Sequence, residues 1–141
     1  MTGLVERLMT TWTNLPSDQD EARAAFAALY VSPVPVNGTP FRTADLLARA
    51  RALNAAFSGL RPELLDVVEA PGKLVVAFRM HGTHTGPLHG PLGIVEPTGR
   101  PIAVRTIDIL TLTADGLVGE VVVQADDLGM LAALGAVPIE S

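Results

Sequence analysis

The chain contains no cysteine, which excludes disulfides and thiolate chemistry. It has no basic run, and its net charge of -5 argues against nucleic acid or an anionic membrane as a partner, because neither surface attracts an acidic protein. The longest apolar runs are strand-sized and broken by charges, glycine or proline, too short for a membrane-spanning helix. The opening segment MTGLVERLM lacks the basic-then-apolar pattern of a secretory signal, so a soluble, cytoplasmic protein is expected. Repeats, linkers and low-complexity tracts are also absent. With 141 residues, 48% of them apolar, the sequence reads as a single domain spanning residues 1–141, large enough for one real core.

Three helices are expected in the first part of the chain. Leu4, Leu8, Trp12 and Leu15 recur at helical spacing, and Pro16 ends that helix after Asn14. Asp18, with Glu21 three residues on, starts a second helix with Ala22, Ala25, Phe26 and Leu29 as its apolar stripe, ending near Val31. The alternate prolines of Ser32 to Pro40 remove backbone donors and predict an extended edge segment with a turn at Asn37-Gly38. Thr43 is expected to cap a third helix running to about Ser58, with Leu46, Leu47, Ala50, Leu53 and Phe57 on one side and Arg49 and Arg51 near the other.

Strands follow. Leu64 to Glu69 and Leu74 to His81, joined by Ala70-Pro71-Gly72-Lys73, predict a hairpin. The Gly/Pro-rich stretch Gly82 to Gly99 reads as a long loop of the kind that forms lids or entrances. Pro101 to Gly129 predicts a second hairpin turning at Asp115-Gly116, then a short helix from Leu128 to Leu134 stopped by Gly135, with Pro138 beyond it. The expected fold is α+β: three helices packed on one face of a curved antiparallel sheet. Both faces of the last hairpin are apolar, so a second copy of the chain is expected to cover the outer one, giving a homodimer.

That hairpin holds residues which packing alone does not explain. Asp108 interrupts an apolar strand, and Gln124, Asp126 and Asp127 end the other. A carboxylate withdrawn from water is costly unless it acquires a partner, a raised pKa or a function. The segments GTHTGPL and GIVEPTGRPIAVRTIDILTLTADGLVGEVVVQADDLGMLAALGAV resemble the SnoaL-like polyketide cyclases, or ester cyclase family, of the nuclear transport factor 2-like superfamily. The pattern of that family runs G-T-H-x-G, P-T-G-[KR], G-[IM]-D-I, D-G-[KR]-I-x-E, W-x-x-x-D-x-L-G and Q-L-G. The match covers the half of the chain from Leu74 onward.

The resemblance implies a cone-shaped α+β barrel with a deep apolar pocket, a dimer or tetramer, and a cofactor-free intramolecular aldol closure. It implies Asp126 as general acid/base by position, Asp108 as the aspartate of G-[IM]-D-I, and His84 as the family histidine. Two positions depart from the pattern: Val122 replaces the tryptophan, which reshapes the pocket floor, and Ala133 replaces the glutamine. Related enzymes on this fold hydrolyse or open epoxides.

Alternation sends the adjacent aspartates to opposite sides, so Asp127 is expected to cap the last helix and Asp126 to face the cavity. The position of Asp108 depends on register. A type I turn with a glycine bulge at Ala114-Asp115-Gly116 sets Thr113 opposite Leu117 and puts Asp108, Gln124 and Asp126 on one face. A two-residue turn sets Asp126 across from Arg105, in an ion pair that spoils it as a base. The bulge is preferred. His84 is expected at the pocket mouth or as a loop anchor. Gln124, Phe78, Met80, Val122, Trp12 and Arg105 are expected to contact the substrate. His81, His84 and His89 lack a fixed carboxylate neighbour, so no metal is expected, and the chemistry needs no cofactor. The expected substrate is an apolar, carbonyl-rich small molecule. Two alternatives stand beside the cyclase: an epoxide hydrolase or epoxide-opening cyclase, in which Asp108, Asp126 and Arg105 converge, and a non-catalytic binding or dimerisation module.

Overall fold

Alternation along two adjacent long strands sets the architecture. Leu74, Val76, Phe78 and Met80 point one way and are buried, as are Ile102, Val104 and Leu110 on the strand beside them, so one face of the sheet must be covered. The computed structural model describes residues 2–90 and 92–137. In chain order it runs α1 (Thr2–Thr13), α2 (Gln19–Ala27), β1 (Val34–Val36), β2 (Thr39–Phe41), α3 (Thr43–Ala56), β3 (Phe57–Ala70), β4 (Lys73–His84), β5 (Leu88–Gly90), β6 (Gly93–Val95), β7 (Pro101–Leu112), β8 (Val118–Ala125) and α4 (Asp127–Ala133). The Pro138 stop lies outside the described residues.

The main sheet has the order β2-β1-β8-β7-β4-β3, with α1, α2 and α3 packed on its apolar face. It curves into a cone that does not close, since β2 and β3 remain edges. The α+β expectation holds, with one correction: the sheet is mixed, because β1 runs parallel to β8. The chain leaves α2 alongside β8, where Val31 donates to the carbonyl of Val118 at 3.0 Å and Val118 to that of Leu29 at 2.8 Å. Asn37, with φ of 50°, does more than turn the chain. Its side-chain amide donates to the carbonyl of Val123 at 3.0 Å and accepts from Val123 N–H at 2.9 Å, extending the β1–β8 ladder.

The first hairpin is longer than its apolar pattern indicates. α3 passes directly into β3 at Phe57, whose backbone is extended, and β4 continues to His84. The expected long loop is thereby shortened, and it holds the small β5–β6 hairpin. Asp18 caps α2 by accepting from Glu21 N–H at 3.0 Å, a contact worth about 1 kcal/mol. Phe26 is fully buried at the centre of the helical layer. The Trp12 ring meets it edge-to-face at 5.2 Å and 89°, and the tilted Tyr30 ring lies 6.2 Å from it. Burying such a ring contributes about 2–3 kcal/mol.

The last hairpin carries two irregularities. Gly116 donates to the carbonyl of Thr113 at 2.9 Å, and Thr113 N–H donates to Leu117 at 2.8 Å, so the turn is the bulged one, with Gly116 at φ 80°. A second bulge follows: Leu112 pairs with Val118 but Thr111 pairs with Glu120, skipping Gly119. Each bulge moves the register by one residue, so beyond Gly119 the strands pair as a two-residue turn alone would have paired them. Val121, Val123 and Ala125 therefore face the helices, while Val122 and Gln124 face outward with Ile109 and Ile107.

Candidate functional site

Between the helices and the sheet lies a cavity of about 810 Å³. Its walls are mainly apolar, and Trp12, Phe78 and Met80 line it as expected. Asp108 projects into it from the middle of β7, in a transverse row that runs Val67, Val76, Asp108, Val123 across four strands. One carboxyl thus sits among three valines. Among the described residues no hydrogen bond or ion pair engages it, and burial pushes its pKa from 3.8 to about 6. Loss of hydration disfavours the charged form.

Facing the same space is Tyr30, a residue that sequence reasoning passed over. The indole N–H of Trp12 donates to the Tyr30 hydroxyl oxygen at 2.9 Å, which leaves the phenolic proton free for another acceptor. Burial raises the Tyr30 pKa, and the nearby Asp108 charge adds to that rise against the lowering effect of the Trp12 bond. The phenol therefore stays protonated and can act as a donor. It was detectable in the sequence: Tyr30 is the chain's one tyrosine, four residues after Phe26 in the span expected to be the second helix, although that helix ends at Ala27 and Tyr30 bridges to Val118 instead.

Asp126 is placed differently from expectation. It is the N-cap of α4, accepting from Gly129 N–H at 2.9 Å, and it is exposed. Asp127, the expected cap, instead lines the mouth of the cavity. The second bulge is the cause, because it sets the Asp126 N–H on the carbonyl of Arg105 at 2.9 Å. Among the described residues no ion pair joins the Arg105 and Asp126 side chains. Arg105, Gln124 and Val122 are exposed, and Gln124 and Val122 pair with the outward-facing Ile107 and Ile109, so none of the three reaches the cavity as expected. The three groups an epoxide-opening centre needs, Asp108, Asp126 and Arg105, are not brought together.

His84 is an anchor. Fully buried, it accepts Thr98 N–H on Nδ1 at 3.2 Å, with Thr98 Oγ1 at 3.1 Å. Its ring lies 5.5 Å from that of Phe57. Accepting at Nδ1 assigns the proton to Nε2, and Nε2 has no partner among the described residues. Its backbone receives Gly99 N–H at 2.8 Å and donates to Arg100 at 2.9 Å, tying the segment before β7 to β4. His84 does not line the cavity. Of the other histidines, His81 contacts Glu63 at 2.8 Å, a contact that, aided by Arg79, holds the Glu63 carboxyl below its usual range. His89 stands exposed at the cavity mouth on β5.

A family model described as SnoaL-like polyketide cyclase matches residues 4–134. A search of curated proteins finds no match. Solved structures share the fold. TsrD from Streptomyces laurentii has a TM-score of 0.80 at 21% identity, covering 96% of this chain and 95% of that one. A SnoaL-like polyketide cyclase candidate from Jannaschia sp. CCS1 has a TM-score of 0.74 at 24% identity, covering 97% and 94%. IdmH, a polyketide cyclase candidate from Streptomyces antibioticus, has a TM-score of 0.75 at 20% identity, covering 95% and 97%.

Proposed function

Because the chain belongs to the SnoaL-like polyketide cyclase family, we propose that it is an enzyme of cyclase or isomerase type that closes a ring in an apolar, carbonyl-bearing small molecule, with Asp108 as general acid/base. The supporting observation is a single desolvated carboxyl with a pKa raised to about 6 in an apolar cavity shared with the Tyr30 hydroxyl. A base in that range is still largely ionised near neutrality, yet is basic enough to take a proton from carbon.

In the proposed sequence, Asp108 removes a proton from the carbon next to a substrate carbonyl. The electron pair left behind delocalises onto that carbonyl's oxygen, which accepts a hydrogen bond from Tyr30. The carbanion carbon then attacks a second carbonyl of the same molecule, forming the ring bond and an alkoxide. Protonated Asp108 returns its proton to the alkoxide, so nothing is consumed. Trp12 acts as a positioning residue: its N–H fixes the phenol so that the Tyr30 proton points away from the indole. The apolar walls hold the substrate folded and keep water from quenching the carbanion.

The test is deuterium exchange at a carbon acid that fits the cavity, such as the acetyl methyl group of 6-acetyl-2-naphthoate methyl ester, followed by proton NMR in D₂O. Wild type accelerates exchange above the buffer rate, and Asp108→Asn does not. An Asp108→Asn variant that exchanges as fast as wild type removes the mechanism, and a wild type that binds the ester without exchanging it leaves a binding module instead.

We further propose a homodimer through the outer face of the sheet. Val68, Val75, Ile109 and Val122 form one continuous row across β3, β4, β7 and β8 on that face. Val68, Ile109 and Val122 are exposed in the single chain, as is Ile107 beside them. An apolar band crossing four of the six strands favours burial against a like surface.

A further inference from the structure

The polar groups of the cavity fall into two sets. Asp108, Tyr30 and the half-buried Thr106 lie within, while Arg49, His89 and Asp127 stand exposed around the mouth. The sequence pattern puts Arg49 near the polar side of α3, but in the fold it flanks Leu46 and Leu53, which line the cavity with it. Its guanidinium lies 5.4 Å above the ring centre of Phe41, another lining residue.

The neighbouring arginines have partners within the chain. Arg42 approaches Asp45 at 3.7 Å, and Arg51 donates to the carbonyl of Pro16 at 2.9 Å and to Gln19 Oε1 at 3.2 Å. No carboxylate or hydrogen-bond acceptor among the described residues engages Arg49. A guanidinium backed by an aromatic ring keeps its in-plane N–H groups open to a ligand, and that planar fork matches a carboxylate.

We propose that Arg49 is a specificity-determining residue that receives an anionic oxygen group of the substrate. The substrate class is then an apolar ketone carrying a carboxylate remote from the carbonyl that Asp108 and Tyr30 engage. The inference rests on the proposed function, since it takes the ketone end to lie at Asp108. Charge elsewhere opposes it: the chain carries -5, and Asp127 stands at the same mouth. A preference for an anion must therefore come from a local cation.

The experiment compares 6-acetyl-2-naphthoate with its methyl ester, which share one planar body and differ in charge at the end far from the ketone. Isothermal titration on the full chain is expected to show the acid binding wild type about tenfold tighter than the ester. The acid-to-ester ratio falls to near one in Arg49→Met and is partly retained in Arg49→Lys. Equal affinities in wild type overturn the inference, as does a ratio that survives in Arg49→Met, or a wild type that binds neither compound. Deuterium exchange at the acetyl methyl group separates the two readings. Exchange without charge discrimination overturns the role of Arg49 alone, and discrimination without exchange supports Arg49 while removing the catalytic proposal.

Discussion

Asp108 lies directly across the ladder from Val123 on one side and Val76 on the other, so the carboxyl has hydrocarbon on both flanks in the sheet. Such surroundings leave it without a compensating partner and raise its pKa to about 6. The first prediction concerns rate. Asp108 must be ionised to accept a proton, so kcat/KM for exchange or ring closure rises with pH through about 6 and then levels off. A pH profile measured between acid and neutral conditions checks this. A rate that is flat across that interval excludes Asp108 as the base.

The same shift has an opposite effect on stability. The native carboxyl holds its proton to a higher pH than the unfolded one, so its favourable contribution is complete below about 4 and is lost as pH rises through about 6. Asp108→Asn is therefore expected to stabilise the protein at pH 7.5 by about 3 kcal/mol. The gain shrinks toward zero near pH 4. Urea unfolding of both proteins at the two pH values measures it, and a destabilised variant at pH 7.5 contradicts the desolvation account.

Tyr30→Phe removes the donor to the developing oxyanion while keeping the ring that packs on Phe26. It is expected to lower kcat about 100-fold with little change in KM. Trp12→Phe leaves the hydroxyl present but unoriented, and costs less, about tenfold. Steady-state kinetics of the two variants check the order, and a Trp12 effect larger than that of Tyr30 contradicts the positioning role.

Asp126→Ala removes the cap of α4. The expected cost is about 1 kcal/mol of stability, with the exchange rate retained. Thermal unfolding and exchange measured on the same preparation separate the two effects. Loss of exchange in the folded variant returns Asp126 to the catalytic role that its position in the sequence motif implies.

Ile107→Glu places a charge on the outer face beside the row of Val75, Ile109 and Val122. Light scattering after gel filtration is expected to show a dimer for wild type and a monomer for the variant. A monomeric wild type removes the proposed interface.

Much of the fold was legible in one dimension, because helices and long strands are set by local periodicity. The Leu4, Leu8 and Trp12 spacing, the Asp18 cap and the Leu74 to Met80 alternation each require only neighbouring residues, and each reappears in the structure. The candidate site was legible in part. Phe78, Met80 and Trp12 lie on strongly patterned elements and reach the cavity. The parallel pairing of β1 with β8 was not legible, since it joins segments about eighty residues apart.

The sequence by itself determined that Asp108 interrupts an apolar strand and that a turn lies at Ala114-Asp115-Gly116. Which carboxylate enters the cavity was decided by tertiary structure, through one skipped residue, Gly119. A glycine inside a strand pattern signals a bulge, but its effect on pairing is fixed only when both strands are locked to their neighbours. Because side chains alternate with a period of two, that single residue turned Gln124 outward and left Asp126 to cap α4, while pairing with Val76 on β4 holds Asp108 toward the cavity.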